Sequence, residues 1–249
     1  MIFRWSIWGS HKTKNIELLK YSILTFKRYF GFDHEYVVCT DDVNLLKKMV
    51  GNLSTFVDFS ENGKSFYDVE SKATWKKWCP RVRLDINQTE IYVDSDVFLL
   101  KYPIEIDSFL SNLSMKFSIM DEFFGQSWQH CAMSRKASQD TPFVNAGFFV
   151  QKAGYDISPD LLKEFEWWQK NVKKDEQTWH DEQGALAVAL TQYFKNGELY
   201  VLPKDKYILI GENENTDIEN LDGIVLLHAV YPDHPAFYKF KNYLDKIIL

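Results

Sequence analysis

The opening part of the chain switches regularly between two periods of apolar positions. Residues 2–8, 35–40 and 53–59 are short apolar runs carrying aromatic and β-branched side chains, which read as three strands. Between the first two, Ile16, Leu19, Ile23, Phe26 and Phe30 recur at helical spacing and stop at Gly31, a residue suited to the turn that ends a helix. Asp41 and Asp42 open a second, shorter helix that runs to Val50 and is stopped by Gly51. Successive strands joined through helices run parallel, with right-handed crossovers. This half therefore predicts an α/β fold with a Rossmann-like, mostly parallel central sheet and helices on both faces.

Residues 91–100 are the most informative stretch, an apolar run interrupted only by Asp94, Ser95 and Asp96. Apolar side chains on both pleat faces predict one buried central strand. Two carboxylates inside it would cost roughly several kcal/mol if desolvated unpaired, so they require a cation or a place at the strand's open end, where α/β sheets bind ligands. Two residues apart, Asp94 and Asp96 can turn to one side and offer hard oxygen donors to Mg2+ or Mn2+. Asp-x-Asp is common by chance and a solvated turn is the bland alternative. It is the apolar strand before it that favours a metal. Upstream, residues 72–84 form a basic, Trp-bearing segment, expected to be helical on both sides of Pro80. Its Arg81 and Arg83 are candidate partners for a diphosphate or for those carboxylates, the alternative being that they coat a helix surface.

Residues 116–120 read as another strand, and 121–142 as a long polar stretch without periodicity, hence a lid or acceptor-binding loop. Residues 143–150 are again apolar on both faces, with Asn145 and Gly147 letting something approach the backbone. Amphipathic helices follow at 158–172 and 181–194, the second with Asp181, Glu182 and Gln183 in its first turn, where acids also occur for dipole reasons alone. Short strands at 198–202 and 224–228 and a closing helix at 236–249 complete the pattern. With no linker or repeat visible, residues 1–249 are expected to form one domain: a nucleotide-binding half over 1–100 and a second half over 101–249, sharing one continuous sheet.

Composition narrows the classes of function. With 249 residues, 45% of them hydrophobic, the chain can bury a large core, and its 16% aromatic content suits stacking on sugar rings as well as core filling. A net charge of −6 argues against a nonspecific nucleic-acid binder. Cys39, Cys79 and Cys131 are widely spaced and odd in number, giving neither a disulfide framework nor a zinc pattern and pointing to the cytoplasm. Neither a signal peptide nor an apolar run of membrane-spanning length is read, and peripheral attachment at the inner face of a membrane stays compatible with the sequence.

Four fragments stand in order: Tyr-Val-Asp-Ser-Asp at 92–96, Val-Asn-Ala-Gly-Phe-Phe at 144–149, Asp-Glu-Gln-Gly-Ala-Leu at 181–186, and Leu-Leu-His-Ala-Val-Tyr-Pro-Asp-His-Pro at 226–235. Together they resemble the GT-A glycosyltransferases, in particular the retaining family that includes bacterial lipopolysaccharide galactosyltransferases and glycogenin. The likeness spans most of the chain. It implies that Asp94, Asp96 and His228 ligate Mn2+ or Mg2+, with Asp94 and Ser95 also near the donor. It further implies that Asn145 and Ala146 touch the donor sugar, that Asp181, Glu182 and Gln183 lie at the reacting carbon and acceptor, and that Ser6, Trp8 and Asp41 hold the base and ribose. Which of Asp181 and Glu182 matches the family's aspartate is ambiguous by one residue. The closing element departs from the family: Tyr231 stands where Gly is usual and His234 where a phosphate-binding Lys is usual, so leaving-group stabilisation would lean on Arg81 or Arg83.

The resemblance implies an enzyme that moves a sugar from a nucleotide-sugar donor, a UDP-sugar foremost, to a glycan, lipid-linked or protein acceptor, with retention favoured. A sugar nucleotidyltransferase is disfavoured because Trp8-Gly9-Ser10-His11 is too poor in glycine to cradle a triphosphate. A carbohydrate- or nucleotide-binding protein without catalysis is the alternative from another class.

Overall fold

The computed structural model describes residues 1–9, 13–59, 66, 71–122, 127–211, 215–230 and 233–249, with backbone alone for 127–129. The described strands are β1 (Ile2–Ile7), β2 (Glu35–Thr40), β3 (Thr55–Asp58), β4 (Glu90–Val93), β5 (Val97–Leu99), β6 (Phe117–Asp121), β7 (Val144–Gln151), β8 (Leu199–Leu202), β9 (Tyr207–Ile210) and β10 (Leu226–Ala229). The α-helices are α1 (Ile16–Phe30), α2 (Val43–Val50), α3 (Ile104–Ser111), α4 (Ser158–Asn171), α5 (Asp181–Lys195) and α6 (Pro235–Ile248). Seven strands form the main sheet in the order β3-β2-β1-β4-β7-β6-β8. β1 pairs parallel with β2 and β4, β2 with β3, and β6 with β8, while β7 runs antiparallel between β4 and β6. Because β7 runs backwards, its first residues lie at the same sheet edge as the C-terminal ends of the parallel strands, the edge where open α/β sheets bind ligands.

The alternation read for residues 2–59 is present, with Asp42 capping α2 through Leu45 N at 3.1 Å and Gly31 ending α1 at φ 82°. One side of the sheet is covered by α1, α2 and α3 around Trp5, Phe26 and Phe148, the other by α4 and α5 around Trp168, Phe149 and Leu186.

Residues 91–100 depart from the single strand expected of them. β4 ends at Val93, a tight turn closes with Val97 N donating to Asp94 O at 3.1 Å, and β5 leaves for a second sheet of order β5-β10-β9. The corner has a physical cause in α1. Two hydroxyls on its buried face, Ser22 and Thr25, serve backbone groups of β5: Ser22 Oγ donates to Val97 O at 2.5 Å and Leu99 N donates to Thr25 Oγ1 at 3.1 Å. The halves therefore share two sheets rather than one continuous sheet, and β9, an unpredicted strand, completes the second. Residues 72–84 likewise lack the two helices expected around Pro80. A 3-10 turn at Trp75–Trp78 leads into a cis Cys79–Pro80 bond and then irregular chain. Within 121–142, a 3-10 segment at Ser127–Arg135 packs on α5; residues 123–126 lie outside the described part. The contact is close: a Cβ built on Gly184 of α5 would stand 2.3 Å from the His130 carbonyl oxygen.

Candidate functional site

The corner between the sheets places Asp94 and Asp96 at the edge of the main sheet, and the second sheet brings a histidine to them. β10 pairs antiparallel with β5, with His228 opposite Val97 and Ala229 N donating to Asp96 O at 2.9 Å. The result is a cluster in which Asp94, Asp96 and His228 each present a ligand atom within 4.8 Å of the others. His228 Nε2 stands 3.3 Å from Asp96 Oδ1, and His234 Nδ1 stands 3.2 Å from Asp96 Oδ2. Burial disfavours the Asp96 carboxylate, but the imidazoles of His228 and His234 outweigh it and hold that carboxyl far below the ordinary range. His228 responds in kind: burial alone would lower its pKa, and Asp96 raises it.

A cation and two further acids stand beside the cluster. Lys77 Nζ is 3.3 Å from Asp94 Oδ2 and 3.6 Å from Glu182 Oε2, and it donates to Ala146 O at 3.4 Å. Although burial opposes its charge, Asp94 and Glu182 raise its pKa, so Lys77 stays protonated. The sheet itself sets its position. Arg4, fully buried in β1, donates to the carbonyls of Lys77, Cys79, Arg81 and Val82 and to Glu90 Oε1, and Ser6 Oγ donates to Lys77 O at 2.7 Å. An irregular segment whose carbonyls would otherwise be buried without donors is thereby pinned against the strands. Glu182 accepts from Trp78 Nε1 at 2.8 Å and Thr74 Oγ1 at 2.9 Å; burial pushes its carboxyl up, with Lys77 only partly offsetting that. Glu122, at the end of β6, accepts from Asn145 Nδ2 at 3.0 Å and Gln183 Nε2 at 3.1 Å, and Gln183 Oε1 accepts from Ala146 N at 3.0 Å.

The candidates named from sequence thus divide. Asp94, Asp96, His228, His234, Asn145, Ala146, Glu182 and Gln183 converge, with Ser95 half-buried at the corner and Ser6 supporting Lys77 from behind. Asp41 accepts from Gly9 N at 3.0 Å at the neighbouring strand end, where Trp8 packs half-buried on the core. Asp181 is elsewhere engaged. Its carboxylate accepts from Trp168 Nε1, Ala132 N, Thr178 N and Thr178 Oγ1, so it ties the start of α5 to α4 and to the 3-10 segment. Arg83 is spent on the carbonyls of Tyr155, Asp85, Ile86 and Gln88 at the opposite end of the strands, and the Arg81 side chain is exposed. Among the described lysines and arginines, Lys77 reaches the Asp94 and Glu182 carboxylates. Tyr231, Ser10 and His11 lie outside the described residues.

The donor set fits a divalent ion: two carboxylates and an imidazole, with 3.3 Å between His228 Nε2 and Asp96 Oδ1, close to the roughly 3 Å that separates adjacent ligands bonded at about 2.1 Å to one ion. The cluster also needs glycine beneath it. A Cβ on Gly147 would stand 2.4 Å from His228 Cε1 and 2.8 Å from Asn145 Oδ1. Gly147→Ala is therefore expected to displace the His228 ring and weaken Mn2+ binding about tenfold or more, as for other disturbances of a ligand's support. Titration calorimetry reads this directly, and an unchanged affinity would show that the ring moves aside at no cost to the site.

No protein-family model matches the chain, and no curated protein matches it in sequence. Solved structures do match in fold. The galactosyltransferase LgtC, in complex with donor and acceptor sugar analogues, superposes with a TM-score of 0.60 at 10% identity over 100% of this chain and 95% of its own. The bifunctional glycosyltransferase WbbM matches with a TM-score of 0.65 at 13% identity over 100% of this chain and 49% of its own. Mouse xyloside xylosyltransferase 1 matches with a TM-score of 0.57 at 11% identity over 92% of this chain and 97% of its own. At such identities the likeness is one of architecture, and the architecture is GT-A.

Proposed function

We propose that this GT-A chain is a metal-dependent glycosyltransferase that moves a sugar from a nucleotide-sugar donor, a UDP-sugar foremost, to a glycan, lipid-linked or protein acceptor. The observation that carries the reading is the convergence of Asp94, Asp96 and His228 from two sheets, beside Asn145, Glu182 and Gln183. Asp94, Asp96 and His228 would hold Mn2+ or Mg2+, which as a Lewis acid would offset the charge of a departing diphosphate. Lys77, charged and preset by Arg4 and Ser6, supplies a second positive group to the same phosphates. Asp41 and Trp8, at the ends of β2 and β1, would receive the nucleoside.

Asn145 and Gln183 offer amide groups, and Glu182 a carboxylate, to the donor sugar's hydroxyls. Both Glu182 oxygens are already engaged, by Trp78 and by Thr74 with Lys77, which suits a residue that holds a sugar better than a free general base. That favours retention over inversion. The acceptor would enter over the segment 127–143, which packs against the start of α5.

Thermal denaturation with a panel of nucleotide sugars tests the reading. A UDP-sugar is expected to raise the melting temperature only when Mn2+ or Mg2+ is present, by the roughly 5–10 °C that ligand at 100 times Kd gives a chain of this size. Release of free nucleoside diphosphate should accompany it. A shift indifferent to metal would remove the metal site, and metal-dependent binding without any turnover over a broad acceptor panel would leave a binding protein.

A further inference from the structure

The orientation of the metal-facing histidine is not set by the histidine. His228 Nδ1 lies 3.0 Å from Asn145 Oδ1, and Gly147 N donates to that same oxygen at 2.8 Å. On the other side of the amide, Asn145 Nδ2 donates to Glu122 Oε2 at 3.0 Å. Both neighbours fix which way round the amide sits. Turned over, it would set its N–H groups against the Gly147 N–H and its oxygen against a carboxylate. With Oδ1 facing the ring, Nδ1 must carry a hydrogen, so Nε2 is the nitrogen left to an ion when it displaces the Nε2 proton. Nε2 is the atom that faces Asp96, 3.3 Å from its Oδ1.

We propose that Glu122 is a positioning residue of the metal centre: by accepting from the Asn145 amide it aims that amide's oxygen at His228 Nδ1 and so presents Nε2 to the ion. The inference rests on the metal-site reading above and goes beyond it by naming what prepares the ligand. Metal-bound histidines ordinarily give their second ring N–H to a carboxylate or a carbonyl. Here an amide stands between carboxylate and ring: Glu122 directly follows β6, His228 belongs to β10 of the second sheet, and Asn145 of β7, the strand next to β6, bridges them. The same Glu122 oxygen accepts from Gln183 Nε2, so one carboxylate holds both the metal ligand and a wall of the sugar site. Glu122 is buried, as a group that sets its neighbours rather than meeting solvent must be.

The test begins with Mn2+ alone. Glu122→Leu is expected to weaken Mn2+ binding on the order of 10–100-fold by calorimetry. Glu122→Gln, whose amide oxygen can occupy the accepting position, should recover most of that loss. Equal affinities in wild type and Glu122→Leu would overturn the proposal while leaving the metal site standing, whereas no Mn2+ binding by the wild type would overturn the metal reading first. A measurement on the unmutated chain guards against a leucine variant that fails to fold. Long-range 15N–1H correlation spectra of histidine-labelled, Mg2+-saturated protein should show His228 protonated at Nδ1, and a proton at Nε2 would refute the arrangement.

Discussion

Asp96→Ala is expected to lower glycosyl transfer about 1000-fold, with Mn2+ binding lost. The carboxylate is a proposed ligand and also the shared partner of both imidazoles, His228 at Oδ1 and His234 at Oδ2. Metal assistance to a leaving group is worth several kcal/mol, and each ~1.4 kcal/mol is tenfold in rate, so losing about 4 kcal/mol gives the stated factor. The fold should survive, because the contact from this residue to β10 is made by the backbone: Ala229 N donates to Asp96 O. Circular dichroism and calorimetry on the same preparation separate the two effects. A variant that keeps wild-type turnover would remove Asp96, and with it the ion, from the reaction.

The second large effect concerns stability rather than chemistry. Asp181→Ala is expected to destabilise the chain by about 3–5 kcal/mol, because the carboxylate is fully buried and its removal strands the Trp168 indole N–H, two backbone N–H groups and the Thr178 hydroxyl. At roughly 2–4 °C per kcal/mol for a domain of this size, the melting temperature should fall by about 6–20 °C. Its neighbour gives the contrast: Glu182→Gln keeps the shape and changes the charge facing Lys77, so turnover should suffer more than the melt. If Asp181→Ala melts like the wild type and only activity disappears, the residue belongs to the reaction and the stapling role is wrong.

These two adjacent acids show where sequence reasoning stops. Helix periodicity placed both in the first turn of α5, but whether a carboxylate turns inward to Trp168 or across to Lys77 depends on the neighbouring elements, which one helix cannot announce. The strands and helices of residues 2–59 were legible because each period change coincided with a capping or stopping residue, Gly31, Asp42 or Gly51. The corner at Asp94–Asp96 was not, since an apolar run buried in one sheet and an apolar run passing from one sheet to another look alike along the chain. β9 escaped notice as a four-residue apolar segment without flanking alternation. Two site residues were missed for different reasons. Lys77 lies in a basic stretch where charge attracted attention to Arg81 and Arg83; Trp75 and Trp78 enclose Lys76 as well as Lys77, so the sequence does not say which lysine turns inward. Glu122 follows an apolar strand much as Asp94 does, so the rule applied to residues 91–96 would have found it at the end of 116–120 too.

If Asp94, Asp96 and His228 ligate an ion as proposed, that ion would act as a rivet across the joint where β4 gives way to β5, tying the turn to β10 of the second sheet. Its occupancy would then be felt in amide exchange far from any sugar: opening β10 would break a ligand, so its protection should rise with metal, by about 2.7 kcal/mol at 100 times Kd. The C-terminal portion of the chain would be looser when empty and tighter when charged with metal, which makes the resting protein and the working one mechanically different objects.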